Sequence, residues 1–404
     1  MPPSTLRTLD AEGPGERLDR RLTETLTQLE TDAMRRSLRP LPTAGRWVEI
    51  DGRPLLNLTG NDYLALAEHT ELKDAAIAAT HRYGTGSGAS RLVAGHLEIH
   101  EQVEAEFAAF KHAESALLFP TGYAANLGTL TALARPGDLI CQDKLNHASL
   151  IDAARMSDAD VRTFPHLDHD KLERLLSNHH AASTRAQRFV VTDSVFSMDG
   201  DVADLPGLCA LADRYDAVLV VDEAHGTGVL GPHGAGLIEA QGVVGRVPVV
   251  VSTASKALGG LGGIVTGSRA VIDTLVNHAR PMIYSTAVPP AQAAAIGAAV
   301  RVVRDEPGRR ERLAVVGRVV RQGLTDAGWP GLLQETVTPI LPLVVGDVGA
   351  ALRLQADLQS AGVLGVAIRP PTVAAGRARV RLSLRADLSD EDVRHLIAAV
   401  GSPR

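Results

Sequence analysis

Aromatic residues make up only 3% of this 404-residue chain: two Trp, five Tyr and six Phe. So few rings leave little for the stacking platforms that single-stranded nucleic acid needs. Positive charge is not in excess either. Lys and Arg number 41 against 47 Asp and Glu, a formal net charge of −6. Nucleic acid and anionic membranes call for a basic surface, so neither is an expected partner. Cysteine is limited to Cys141 and Cys209, with no CxxC spacing, which argues against a zinc site or a disulfide framework. No metal is expected, and a reducing cytoplasm is the expected location. Long unbroken apolar runs are missing as well. The uncharged stretches Ser115–Ala134 and Pro281–Val300 are interrupted by Pro120, Gly122, Asn126 and Gly128, and by Pro289, Pro290 and Gln292. Met1–Asp10 is followed by mixed charges and lacks an apolar signal core.

What is present is an ordinary apolar share, 45%, in a chain long enough for roughly two to three domains. Leu18, Leu22, Leu26 and Leu29 recur at helical spacing and predict an amphipathic helix over 15–40 that ends near Pro40. Trp47–Leu58 reads as strands around an Asp51-Gly52 turn. From about residue 98, short apolar strands alternate with helical periods, which predicts a largely parallel sheet with helices on both faces. Val218–Val221 and Val249–Val251 are apolar at consecutive positions, as strands buried on both faces require. After Pro290 a smaller α+β region closes the chain. The Arg309, Arg310 and Arg312 cluster is expected to be a solvated helix face.

Two motifs point elsewhere. Gly226, Gly228 and Gly231 match a GxGxxG dinucleotide fingerprint, and a nicotinamide-dependent dehydrogenase is the distant alternative they support. The next strand, Val247–Ser252, runs into Thr253-Ala-Ser-Lys256 without the acidic residue that would hold a ribose. His96 and His100 stand at zinc-chelating spacing, but Leu97-Glu98-Ile99 lies between them and no third ligand is evident.

Four strand ends carry polar groups: Asp143–His147, Thr192–Ser197, Asp222–His225 and Thr253–Lys256. The carboxyl ends of parallel strands converge on one crevice. A lysine there can form a Schiff base with an aldehyde cofactor, and an aspartate can hold a protonated pyridine nitrogen. Thr121-Gly122-Tyr123 opens a helix after a strand and offers backbone N–H groups to a phosphate.

The chain further contains Gly60-Asn-Asp-Tyr-Leu64, Gly84-Thr-Gly-Ser-Gly88, Asn146-His-Ala-Ser149 and Val195-Phe-Ser-Met-Asp-Gly200. Beyond these come Val221-Asp-Glu-Ala-His-Gly-Thr-Gly228, Ile283-Tyr-Ser-Thr286, Pro289-Pro-Ala-Gln292 and Ile368-Arg-Pro-Pro-Thr372. In this order, from about residue 30 to the C-terminus, they resemble the α-oxoamine synthase family of pyridoxal phosphate enzymes. The resemblance implies a fold-type I α/β architecture. A helix and arm would occupy 1–58, a large cofactor-binding domain 59–288, and a small C-terminal domain, packed with the arm, 289–404.

The resemblance also implies roles. Lys256 would bind the cofactor, pyridoxal 5'-phosphate, and move the Cα proton. Asp222 would pair with the pyridine nitrogen, His225 with the phenolic oxygen near Ser197, and His147 would stack on the ring. Thr253, Gly122 and Tyr123 would bind phosphate or frame the ring. Thr286 would reach the phosphate of a neighbouring subunit, which implies a homodimer with shared active sites. Arg381 would grip the amino acid's carboxylate, an interaction suited to a bidentate guanidinium. Asn61 would also touch substrate, and Arg35 would meet the far carboxylate of a pimeloyl group. The implied reaction condenses L-alanine with a pimeloyl thioester, on carrier protein or coenzyme A, with loss of thiol and carbon dioxide, as in biotin biosynthesis. The alternative within the family joins glycine or serine to another acyl-CoA, as 2-amino-3-ketobutyrate CoA ligase does. Ala89-Ser-Arg-Leu92 lacks the polar pair associated with succinyl-using members. Ala254 and Ala65 replace residues common in the family near the substrate pocket.

Overall fold

The computed structural model describes residues 13–182 and 186–403, so the expectation for Met1–Asp10 lies outside the described residues. The chain begins with helix α1 (Pro14–Thr31) and the hairpin β1 (Trp47–Ile50) and β2 (Arg53–Asn57). Its turn uses Asp51 and Gly52 at φ 52° and 73°. Helices α2 (Thr70–Tyr83) and α3 (Glu98–Phe110) lead into the alternating region. There β3 (Ser115–Phe119), α4 (Gly122–Leu133), β4 (Leu139–Asp143), α5 (Ala148–Met156), β5 (Asp160–Phe164), α6 (His169–Ala182), β6 (Arg188–Asp193), α7 (Leu205–Arg214) and β7 (Ala217–Asp222) follow one another. The short α8 (Leu237–Ala240) precedes β8 (Val249–Thr253), β9 (Gly263–Gly267), α9 (Arg269–His278) and α10 (Arg280–Ile283). The C-terminal part contains α11 (Pro290–Asp305), α12 (Pro307–Asp326), β10 (Ile340–Gly346), α13 (Val348–Ser360), β11 (Val363–Leu364), β12 (Val366–Ile368), β13 (Ala378–Ser383) and α14 (Asp390–Val400).

Seven strands form one sheet in the order β3-β9-β8-β7-β6-β4-β5. It is parallel except at β9, which runs against both β3 and β8. The fold-type I architecture expected from the sequence is therefore present. Side-chain alternation explains the continuous valine runs. Leu219 and Val221 pack into one buried cluster with Phe107, Leu172, Leu208 and Ile296. Val220 packs into the opposite cluster with Leu130, Leu150 and Leu275. Each such buried side chain contributes about 1.5–3 kcal/mol relative to an exposed one.

In the C-terminal part, β10, β13 and β12 form an antiparallel sheet. Early residues pack onto this part through a separate sheet, β1-β2-β11, and through single backbone bonds. β2 pairs in parallel with β11, and Ser383 N donates to Leu58 O at 2.8 Å. Ala386 N donates to Tyr63 O at 2.8 Å. These bonds lay the 58–63 segment beside β13.

Three sequence expectations are corrected. Helix α1 stops at Thr31, well before Pro40, because Ala33 adopts φ 54° and Met34 N turns back to Leu29 O. Its leucine stripe is exposed. The arginine cluster is not a solvated face. Arg310 is buried, with Nη1 on Val303 O and Nη2 on Pro232 O, while Arg312 reaches Leu388 O and Arg309 reaches Leu64 O. Long guanidinium stems here cap the carbonyls of neighbouring segments. Finally, α2 and α14 are helices that the periodicity did not single out. No helix among the described residues is long and apolar enough to cross a membrane.

Candidate active site

Parallel pairing sets the site. Asp193 at the end of β6 is the register partner of Asp222 at the end of β7, and Asp222 is that of Val251 on β8. Strand β8 ends at Thr253, and Lys256 follows in the turn. Three neighbouring strands therefore deliver their polar ends to one edge.

Asp222 is buried and held from two sides. Ala224 N donates to Oδ1 at 2.7 Å and Asn126 Nδ2 to Oδ2 at 2.6 Å. The second amide hydrogen of Asn126 goes to Ser149 Oγ at 2.8 Å. Ser149 in turn donates to His147 Nδ1, from Oγ at 2.7 Å and from its backbone N at 3.2 Å. Nδ1 is thus an acceptor, and the proton of the neutral ring sits on Nε2. Burial, then the nearby Lys256 charge, lowers the His147 pKa, against an opposing pull from Asp222. Asp193 Oδ2 accepts from His147 N at 2.6 Å. Burial, reinforced by the charge of Asp222, raises the Asp193 carboxyl well above the usual range.

Lys256 feels burial most strongly, which lowers its pKa, while Asp222 and Asp193 oppose that shift. His225 is buried, and desolvation with the Lys256 and Arg381 charges holds its imidazole well below the usual range.

Arg381 on β13 reaches this edge across the C-terminal part. Its Nε donates to Ser197 O at 2.7 Å and Nη1 to Ser383 Oγ at 3.1 Å. Nη2 donates to Asn61 Oδ1 at 3.1 Å and Tyr63 OH at 3.2 Å. A guanidinium has five N–H groups, so one hydrogen on Nη1 is left over.

Gly122 and Tyr123 open α4, with Thr121 Oγ1 capping Ala124 N at 3.0 Å. The N–H groups of Gly122 and Tyr123 have no acceptor among the described residues. Thr253 Oγ1 bonds Ser255 Oγ at 2.8 Å and Gly262 O at 2.9 Å. A Cβ on Gly122 would stand 3.3 Å from Thr253. Tyr123 is exposed and its hydroxyl contacts Asp152.

Two expected residues lie apart. Arg35, in the arm after α1, is half-exposed and ion-paired with Glu30 at 2.7 Å. Thr286 is exposed and bridges Ser90 through its backbone. Sequence reasoning passed over Tyr63, Asn126, Ser149 and Asp193. Asn126 left a signal: it is a buried amide in the otherwise apolar first turns of α4.

The two other motifs have structural explanations. Gly226, Gly228 and Gly231 form turns instead of opening a helix, with Gly228 and Gly231 at φ 83° and 86°. A Cβ at Gly231 would meet Glu239 Oε2 at 2.2 Å. His100 Nε2 bonds Val288 O at 2.8 Å, and His96 Nε2 bonds Glu101 at 3.1 Å. Among the described residues no group of three His, Cys, Asp or Glu could hold a metal.

The profile of the aminotransferase class I and II family matches residues 53–400. An 8-amino-7-oxononanoate synthase from Halorhodospira halophila is 46% identical over 393 residues, 96% of this chain and 96% of the relative. Among solved structures, the serine palmitoyltransferase of Sphingomonas wittichii superposes with a TM-score of 0.88 at 30% identity, covering 96% of this chain and 97% of that one. Another serine palmitoyltransferase structure, which contains PLP, gives a TM-score of 0.88 at 27% identity with the same coverage, 96% and 97%.

Proposed function

We infer that this chain, which belongs to the aminotransferase class I and II family, condenses L-alanine with a pimeloyl thioester to give 8-amino-7-oxononanoate, using pyridoxal 5'-phosphate. The observation that carries the chemistry is Lys256 at the strand-end edge that also holds Asp222, His225 and His147. The relatives named 8-amino-7-oxononanoate synthase, such as the one 46% identical over 96% of the chain, favour the alanine and pimeloyl pair.

The residues fit the cofactor. The N–H groups of Gly122 and Tyr123, with Thr253, form a cradle for a phosphate, and a side chain at Gly122 would crowd it. Asp222 would accept the pyridine N–H, His147 would cover the ring face, and His225 with Ser197 would meet the phenolic oxygen. When bound, the cofactor supplies an aldehyde for Lys256 and a ring that accepts negative charge from the amino acid's Cα.

The protein's own groups supply the proton transfers and the positioning. Lys256, its pKa lowered chiefly by burial, takes the Cα proton of alanine. A C–C bond forms from Cα to the acyl carbon as the thiol leaves, and carbon dioxide is then lost. Lys256 returns a proton to Cα. The remaining Nη1 hydrogen of Arg381 and the Nδ2 group of Asn61 together hold the alanine carboxylate. Arg35 would exchange its exposed pairing with Glu30 for the far pimeloyl carboxylate.

A homodimer with shared sites belongs to the same proposal. It is supported by the exposure of Thr286 beside the exposed Tyr284, Leu92 and Val93, a patch suited to a second copy. A cytoplasmic location and the division of the chain near residues 58 and 288 are part of this reading.

The test is stoichiometric. Protein loaded with pyridoxal phosphate is given L-alanine, glycine or L-serine with pimeloyl, acetyl or palmitoyl thioesters. Thiol and carbon dioxide should appear one to one with alanine and the pimeloyl thioester. Borohydride should fix the cofactor on the Lys256 peptide. Turnover with serine and the palmitoyl thioester alone would replace this reading with the long-chain alternative.

A further inference from the structure

The phenol of Tyr63 is fully buried and touches three groups at once. Its oxygen lies 2.7 Å from His225 Nδ1, 3.1 Å from Asn61 Oδ1 and 3.2 Å from Arg381 Nη2. Arginine only donates, so the Tyr63 oxygen accepts from Arg381 and has a single proton to give. Asn61 Oδ1 already accepts from Arg381 Nη2 at 3.1 Å, so it stays satisfied when that proton turns to the ring. The charges that act most strongly on His225 are those of Lys256 and Arg381, with His147 after them. Beside them, and buried, the ring is neutral and carries one proton. Its Nε2 makes no hydrogen bond among the described residues, whereas Nδ1 faces the phenol.

A phenol O–H aimed at Nδ1 makes that nitrogen the acceptor and leaves the ring proton on Nε2. The relay from Arg381 through Tyr63 to His225 then joins the group proposed to hold the amino acid's carboxylate to the group proposed to meet the cofactor's phenolic oxygen. We propose that Tyr63 is a positioning residue that fixes His225 as the tautomer protonated on Nε2, and that Arg381 holds its hydroxyl in the orientation that does so. The proposal rests on the roles given above for Arg381 and His225. In Tyr63→Phe the ring and its packing remain, and only the hydroxyl is lost. His225 then exchanges its proton between the two nitrogens, and a fraction of the molecules presents an acceptor where a donor is needed.

The experiment uses the full protein, purified with its cofactor and labelled with nitrogen-15 histidine, with the His225 signals assigned by difference against His225→Gln. In the wild type, Nδ1 should resonate as an unprotonated nitrogen and Nε2 as a protonated one. In Tyr63→Phe both should shift toward a mixture, and kcat/KM for alanine should fall about tenfold, the equivalent of one lost hydrogen bond. A protonated Nδ1 in the wild type would overturn the proposal, and so would identical His225 signals in the two proteins. If Tyr63→Phe does not fold, the wild-type tautomer alone decides. The tautomer is read without turnover. A protein with the expected signals that makes no product from alanine and the pimeloyl thioester therefore defeats the proposed reaction and leaves the role of Tyr63 standing.

Discussion

The amide of Asn126 stands 2.6 Å from the carboxylate of Asp222 and spends its other hydrogen on Ser149 at 2.8 Å. Because Ser149 orients His147, one amide in α4 governs two groups of the candidate site, the carboxylate and the imidazole. Hydrogen bonds to charged groups are worth about 1.5–3 kcal/mol. Asn126→Ala should therefore weaken pyridoxal phosphate binding by roughly ten- to a hundredfold, as read by cofactor titration. An affinity within twofold of the wild type would remove Asn126 from the site's support.

Arg379 on β13 is almost fully buried and donates from Nη1 to Asp199 at 2.5 Å and Met198 O at 2.9 Å. Asp199→Ala strands that cation against the 197–199 loop. The expected cost is about 1.5–3 kcal/mol in urea unfolding. Removing both partners, as Arg379→Met with Asp199→Ala, should recover part of it. A double variant less stable than the sum of the two single changes would contradict the pairing.

His166 bridges Asp143 at 3.0 Å and Asp201 at 2.7 Å, with its ring edge-on to Phe196. Although burial opposes protonation, hydrogen bonds to the two aspartates raise its pKa from 6.5 to about 9. A raised folded value means that the stabilisation is complete below about pH 6.5 and is lost as the pH climbs through about 9. It is worth at most about 3 kcal/mol, and less after screening at a partly exposed ring. Stability measured from pH 6 to 10 should fall more steeply in the wild type than in His166→Gln. Parallel curves would show that the bridge does not titrate as described.

Cys141 and Cys209 are buried free thiols, and burial pushes Cys141 to about 12 and Cys209 upward. Thiolate is the reactive form, so neither should react with an aromatic disulfide reagent at pH 8 in the native protein. Both should react after unfolding. Prompt labelling of the native protein would mean that β4 or α7 opens readily.

Much of the site was legible because a parallel sheet leaves its construction in the sequence. Each crossover ends a strand on the same edge, so Asp222, His225, Thr253 and Lys256 converge once alternation is recognised. The seven-stranded core follows from the same pattern of consecutive valines and helical periods. The arginine cluster at 309–312 misled for a physical reason. Composition marks a guanidinium as polar, but not whether carbonyls such as Val303 O and Pro232 O lie within its reach.

By itself, the sequence determined the fold class and the strand-end groups, since periodicity and crossover geometry are local properties of the chain. Only the tertiary structure decided that Tyr63 meets both Arg381 and His225, and that Asn126 serves both Asp222 and His147. Those contacts join positions far apart in sequence. The Tyr63 contacts exist because backbone bonds such as Ser383 N to Leu58 O lay an early segment against β13, and the Asn126 contacts because α4 and α5 open beside the end of β7. The tertiary structure also decided that Arg381 has one N–H to spare, because that count depends on every neighbour the guanidinium finds when the chain closes around it.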